Sequence, residues 1–162
     1  MRIIATQYTL NNKAFEIYTA GCLGNPRYCA GCHSPETWDF NQGEYFTEEY
    51  FEEKIKSKII EFDSIIDHIM IFGGEPLDNP KKDLYFFLEK LAQFGKPVWI
   101  FTHYEMDRCK EKLADAIKFV DYIKCGAYIP ELVVDDNVQY GIKLATSNQK
   151  IYNLRVGDIN DK

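Results

Sequence analysis

The sequence has no apolar run approaching the roughly 20 residues of a membrane-spanning helix. Its first residues, Met1-Arg2-Ile3-Ile4-Ala5-Thr6, do not form a signal-peptide pattern. Both observations point to a chain that stays in the cytoplasm without membrane contact. There is no long basic run, and the formal net charge is −6. A protein that grips phosphates directly usually shows a basic face, so direct nucleic-acid binding is disfavoured. Internal repeats, low-complexity segments and linkers are absent, which excludes solenoids and tethered modules and leaves a single domain over 1–162. Histidine is scarce, with three residues. What is plentiful is aromatic: 15% of the chain, including eleven Tyr and eleven Phe, which argues against disorder.

Five cysteines are present. In a reducing compartment they are better candidates for metal or catalysis than for disulfides. Three lie in one run, Cys22-Leu23-Gly24-Asn25-Pro26-Arg27-Tyr28-Cys29-Ala30-Gly31-Cys32. Cys109, in a helical stretch, and Cys125, at the end of an apolar one, stand alone. Free cysteine behaves as a small hydrophobe, so both are expected to pack in the core.

Periodicity gives an alternating chain. Ala14–Thr19 reads as a strand ending at Gly21 that delivers the cysteine loop. Thr47 is a candidate N-cap before Glu48 and Glu49, and Phe51, Ile55, Ile59 and Phe62 recur near every fourth residue, as in an amphipathic helix. Its acidic and basic residues, Glu48 to Lys58, form a solvated face. Ile65–Phe72 reads as a buried strand stopped by two glycines. Leu84, Phe87, Leu88 and Leu91 mark a helix closed by Gly95 and Pro97. Pro97–Thr102 is a strand, Met106, Cys109, Leu113 and Ile117 share a helix face, and Phe119–Lys124 is the next strand. Strand–helix alternation predicts an α/β fold with a mostly parallel sheet. It is too short for a closed eight-stranded barrel and fits an open partial (β/α) barrel or a doubly wound sheet. Cys22, Gly73 and Thr102 all fall just past strand ends, where sites form in parallel α/β folds.

Thiolate sulfur suits both iron–sulfur clusters and zinc. Three thiolates can hold three irons of a 4Fe–4S cube and leave the fourth open. A closed zinc site needs a fourth ligand. His33 directly follows Cys32, and adjacent residues rarely both reach one tetrahedral metal, while His68 and His103 are isolated. Gly73-Gly74-Glu75-Pro76 adds a second feature. Two glycines after a strand let a ligand approach the backbone. Pro76 fixes the exit, and Glu75 offers an acceptor for an ammonium group. The same four residues also suit a plain strand-to-helix turn. Trp38 and Trp99 fit core positions as well as cofactor contacts, and Asn148 and Gln149 fit either a contact or a solvated tail.

At these residues the sequence resembles the radical S-adenosylmethionine superfamily, and within it the small activating proteins of anaerobic (class III) ribonucleotide reductases. The resemblance runs from Phe15 to Arg155. It rests on Thr19-Ala20-Gly21-Cys22, on Cys29-Ala30-Gly31-Cys32-His33-Ser34-Pro35-Glu36-Thr37-Trp38, on Gly73-Gly74-Glu75-Pro76-Leu77, on Trp99-Ile100-Phe101-Thr102-His103-Tyr104, on Cys125-Gly126-Ala127-Tyr128 and on Thr146-Ser147-Asn148-Gln149-Lys150-Ile151.

The resemblance implies a radical S-adenosylmethionine fold in which Cys22, Cys29 and Cys32 ligate a 4Fe–4S cluster. Gly31, Cys32 and His33, with Gly73, Gly74, Glu75 and Pro76, would contact S-adenosylmethionine. The implied reaction is one-electron cleavage of the sulfonium to methionine and a 5′-deoxyadenosyl radical, which takes hydrogen from a glycine of the large subunit of anaerobic ribonucleotide reductase. A small electron donor such as a flavodoxin or ferredoxin is implied as the second partner. Another glycyl-radical enzyme, a small molecule or a peptide is the alternative substrate, and a non-catalytic zinc-binding adaptor the alternative class. The chain departs from the family pattern in four places, one of them near the N-terminus, where Thr9-Leu10-Asn11-Asn12 stands in place of an Asn-Gly-Pro-Gly segment. Six residues separate Cys22 from Cys29 where three are usual, and Gly24, Asn25 and Pro26 fit a lengthened loop. His33 stands where Tyr or Phe is usual, and His103 where Gly is usual.

Overall fold

The computed structural model describes residues 1–24 and 28–156. Asn25 and Pro26 of the lengthened loop lie outside the described residues. A seven-stranded sheet organises the rest, in the order β3-β1-β2-β4-β5-β6-β9. Its centre is four parallel strands: β2 (Ala14–Thr19), β4 (His68–Gly73), β5 (Val98–Phe101) and β6 (Tyr122–Cys125). The outer strands β1 (Arg2–Thr9), β3 (Glu44–Tyr45) and β9 (Lys150–Asn153) pair antiparallel. The expected parallel character therefore holds for the core, while the edges are antiparallel. A short hairpin, β7 (Val138–Gln139) and β8 (Ile142–Lys143), stands apart.

Helical crossovers join the parallel strands. The first starts at Thr47, whose side chain accepts from the Tyr50 amide and so satisfies one free N–H of the first turn. It runs through α1 (Glu48–Tyr50), a π-helical stretch (Phe51–Lys56) and α2 (Ser57–Glu61). Phe51, Ile55 and Ile59 face inward, and the acidic residues from Glu48 to Glu53 are exposed, as the charge pattern predicts. The second crossover is α3 (Lys81–Ala92), burying Leu84, Phe87, Leu88 and Leu91. The third is α4 (Met106–Leu113), which tightens into a 3-10 helix (Ala114–Phe119) rather than continuing to Ile117 as one α-helix.

Strand alternation separates two cores. Ile69, Ile71, Val98, Ile100, Ile123 and Cys125 point to the side that holds the buried apolar residues of the three helical crossovers. Met70 and Trp99 point the other way and pack with Leu144 and Ile151. Among the described residues, the buried apolar side chains of the three crossovers lie on one face of the sheet, so the doubly wound alternative is not what forms. Among the described residues no helix is long and apolar enough to cross a membrane.

Candidate functional site

The site lies at the carboxyl ends of the parallel strands. β2 ends at Thr19, and Gly21, with φ +97°, turns the chain into the cysteine loop. Two hydrogen bonds fasten that turn to a 3-10 helix (Pro35–Trp38): Gly21 N donates to Thr37 O (2.7 Å), and Cys22 N donates to Trp38 O (3.1 Å). β4 ends in Gly73-Gly74, and the Glu75 amide donates back to Gly21 O (2.7 Å). Cysteine loop and glycine turn thus form one backbone unit.

Both glycines are required by the protein itself. A Cβ on Gly73 would lie 2.2 Å from Thr19 O, in a backbone with φ +126° that side chains rarely adopt. A Cβ on Gly74 would lie 2.3 Å from Gly21 O and 2.7 Å from Thr37 O. Their missing side chains let the end of β4 press against the cysteine loop, which is a different reason from an opening for a ligand.

A cleft of about 140 Å³ opens here, lined by Cys22, Cys29, Cys32, Trp38, Gly74, Glu75, Phe101, Thr102, His103 and Lys124. The three clustered cysteines therefore share one hollow with Gly74 and Glu75. Among the described residues, no three Cys, His, Asp or Glu side chains converge closely enough to hold a single metal ion. The three thiols border a space rather than a point. Gly31, His33, Gly73 and Pro76 are not in the lining; Gly31 and His33 are exposed, and Pro76 is buried behind the turn. Cys109 and Cys125 pack in the core as expected, with their sulfurs 3.7 Å apart.

Glu75 is buried, with 1% of its surface exposed. Its Oε1 accepts from Thr102 Oγ1 (2.7 Å) and Leu77 N (3.1 Å), and its Oε2 accepts from His103 N (2.9 Å). His103 Nδ1 lies 3.0 Å from the same Oε2. Burial is the largest influence and raises the carboxyl from 4.5 to about 7, against the pull of those hydrogen bonds. Burial likewise lowers the pKa of His103 and of Lys124, and pushes the Cys22 thiol up to about 11. Trp38 forms a wall, its ring stacked on Tyr28 at 3.9 Å. Trp99 is not part of the cleft: it is buried in the second core, stacked on Tyr122.

Asp78 is a residue that the motif reading stopped short of, one position past Leu77. Its carboxylate accepts from Leu23 N (2.8 Å), from the Tyr104 hydroxyl (2.6 Å) and from Lys112 Nζ (3.1 Å). It ties the cysteine loop to α4 and to the segment after β5. Lys124 was also missed, although a lysine near the end of an apolar strand is a visible signal; its Nζ donates to Gly126 O (2.8 Å). Asn148 and Gln149 are neither a solvated tail nor part of the lining. Asn148 Nδ2 donates to Ala127 O (2.9 Å) and Gln149 Nε2 donates to Gly126 O (3.4 Å), so both pin the turn after β6.

Two relatives carry the name anaerobic ribonucleoside-triphosphate reductase-activating protein. The one from Salmonella typhi is 25% identical over 143 residues, covering 86% of this chain and 87% of the relative. The one from Escherichia coli (strain K12) is 24% identical over the same length, with the same coverage. Residues 13–152 match the model of a family described as 4Fe-4S single cluster domain. That match takes in the cysteine loop, the glycine turn and every strand of the parallel core, and the chain belongs to the 4Fe-4S single cluster domain family.

Proposed function

We propose that residues 1–162 form a single radical S-adenosylmethionine domain, an open partial (β/α) barrel, that acts in the cytoplasm to install a glycyl radical on the large subunit of an anaerobic ribonucleotide reductase. The observation that carries this reading is the shared cleft of Cys22, Cys29 and Cys32 with the Gly74-Glu75 turn, beyond the ends of the parallel strands. The names of the relatives supply the partner. The order of β2, β4, β5 and β6, in which each parallel strand lies next to the parallel strand before it, supports the barrel.

The donor set fits a 4Fe–4S cluster: three soft thiols border one hollow and, among the described residues, no three Cys, His, Asp or Glu side chains converge on a single ion. Cys22, Cys29 and Cys32 would hold the cluster, which when bound would supply the one electron that splits the sulfonium of S-adenosylmethionine into methionine and, with a hydrogen atom from the partner's glycine, 5′-deoxyadenosine.

The chain's own residues prepare that event. Cys22, Cys29 and Cys32 provide the thiolates. Cys22 is a neutral thiol in the metal-free protein, so ligation releases its proton. Trp38 and Phe101 give the cleft apolar walls that exclude water. Cys32 and Gly74, which line the cleft, form the binding face for the nucleoside, with Gly31 and His33 on the exposed loop beside it and Gly73, Glu75 and Pro76 bracing the turn. An external reductant, a flavodoxin or ferredoxin, delivers the electron.

The test is anaerobic reconstitution with iron and sulfide, followed by an assay for 5′-deoxyadenosine and by electron paramagnetic resonance after mixing with the reductase. Deoxyadenosine plus a glycyl radical signal is expected. Deoxyadenosine without that signal refutes the partner, and a colourless protein holding one zinc and no sulfide refutes the class.

A further inference from the structure

The acid of the glycine turn is not free to meet a ligand's amine. An ionised carboxylate has about four lone-pair sites. Leu77 N and Thr102 Oγ1 occupy those of Glu75 Oε1, while His103 N and the His103 ring crowd Oε2. Glu75 is also sealed from solvent. Its neighbour in the cleft is in the opposite condition. His103 Nε2 is buried and has no hydrogen-bond partner, and such an atom costs free energy unless something fills the vacancy.

The state of that nitrogen follows from the other one. Nδ1 sits 3.0 Å from a carboxylate oxygen. Two acceptors at that distance repel, so Nδ1 carries the ring proton and Nε2 presents a bare lone pair. Burial, reinforced by the charges of Lys112 and Lys124 and opposed by Asp78, keeps the imidazole neutral. Lys124 lines the same cleft and spends one of its three N–H groups on Gly126 O. His103 and Lys124 both line this hollow, and an acceptor and a cation side by side complement the ammonium and the carboxylate of an α-amino acid once a ligand reaches the buried nitrogen.

Resting on the function proposed above, we propose that His103 Nε2 accepts a hydrogen bond from the α-ammonium group of the methionyl end of the bound sulfonium nucleoside. Glu75 acts through it, as a positioning residue that holds the ring in the required tautomer. Lys124 is left to face the carboxylate.

Two stable nucleosides separate this contact from a structural role. S-adenosylhomocysteine carries the amino-acid end, and 5′-methylthioadenosine lacks it. Titration calorimetry at pH 8 with the anaerobically reconstituted full chain compares wild type, His103→Ala and His103→Gln. In His103→Ala, S-adenosylhomocysteine is expected to bind roughly tenfold to a hundredfold more weakly, the range of a hydrogen bond to a charged group. Methylthioadenosine affinity and iron content should not change, and His103→Gln, which restores an acceptor oxygen, should recover part of the loss. Unchanged S-adenosylhomocysteine affinity, equal weakening of both nucleosides, or loss of iron in both variants overturns the contact. A wild type that binds cluster and S-adenosylmethionine alongside any of those results leaves the proposed function standing, whereas a wild type that binds neither nucleoside sinks both. Imidazole ¹⁵N shifts of the reduced, metal-free chain at pH 8 read the tautomer directly. A proton on Nδ1 in wild type, displaced to Nε2 in Glu75→Gln, is expected; a wild-type proton on Nε2 overturns the assignment.

Discussion

Replacing Glu75 by glutamine is expected to remove a pH-dependent component of stability. The native carboxyl titrates at about 7 against an ordinary 4.5. Between those values the folded chain holds a proton that the unfolded chain has released, so stability falls as pH rises through that window. Glu75's contribution is fully present below pH 4.5 and lost above 7. At 1.36 kcal/mol for each tenfold change in proton affinity, the loss amounts to about 3 kcal/mol. That is a large share of the roughly 5–15 kcal/mol that holds a typical domain together. Glutamine has no proton to exchange. Whatever fixed cost its amide incurs against the donors of Thr102, Leu77 and His103, the gap between variant and wild type should move by about 3 kcal/mol in glutamine's favour from pH 4.5 to 8. Urea unfolding of the reduced, metal-free chain at half-unit pH steps measures it, since titrations common to both proteins cancel in the difference. A flat difference would mean that the carboxyl is hydrated in the native state. A difference of opposite sign would mean that its hydrogen bonds outweigh burial.

Three further outcomes are expected. Cys22→Ala, Cys29→Ala and Cys32→Ala should each abolish the cluster and deoxyadenosine formation, whereas Cys109→Ala and Cys125→Ala should retain both at a cost of about 1–2 kcal/mol from lost core packing; a brown, active Cys29→Ala protein would refute the ligand set. Gly74→Ala forces a methyl group against two backbone oxygens and should cost about 3 kcal/mol and reduce iron loading, so wild-type stability by chemical unfolding would contradict the described contact between turn and loop. Asp78→Ala strands Lys112 and frees the Leu23 amide; a loss of about 3 kcal/mol is expected, together with faster proteolysis within the cysteine loop, and a cleavage rate equal to wild type would show that the tether does not restrain the loop.

The parallel core could be read from residue order because its strands are buried and its helices amphipathic. Ile69 and Ile71, or Phe51, Ile55 and Ile59, repeat at the period of the element they belong to. The cysteines and the glycine turn were equally legible, since thiolates and paired glycines are chemically unambiguous even without neighbours. The antiparallel edges escaped: Arg2–Thr9 mixes polar and apolar residues without clean alternation, although it pairs with β2 across only the short turn at residues 10–13, and β3 and β9 reach their partners from distant parts of the chain. Chemistry that depends on two distant segments meeting could come only from the folded chain. Asp78 reaches Leu23, Tyr104 and Lys112 across three segments, and Cys109 meets Cys125 only when α4 packs on β6. Most consequential is Glu75. Its residue type announces an acid, but whether that acid greets a ligand or is spent on Leu77, Thr102 and His103 depends on where β5 ends relative to β4. That placement is decided by packing, which no run of neighbouring residues encodes.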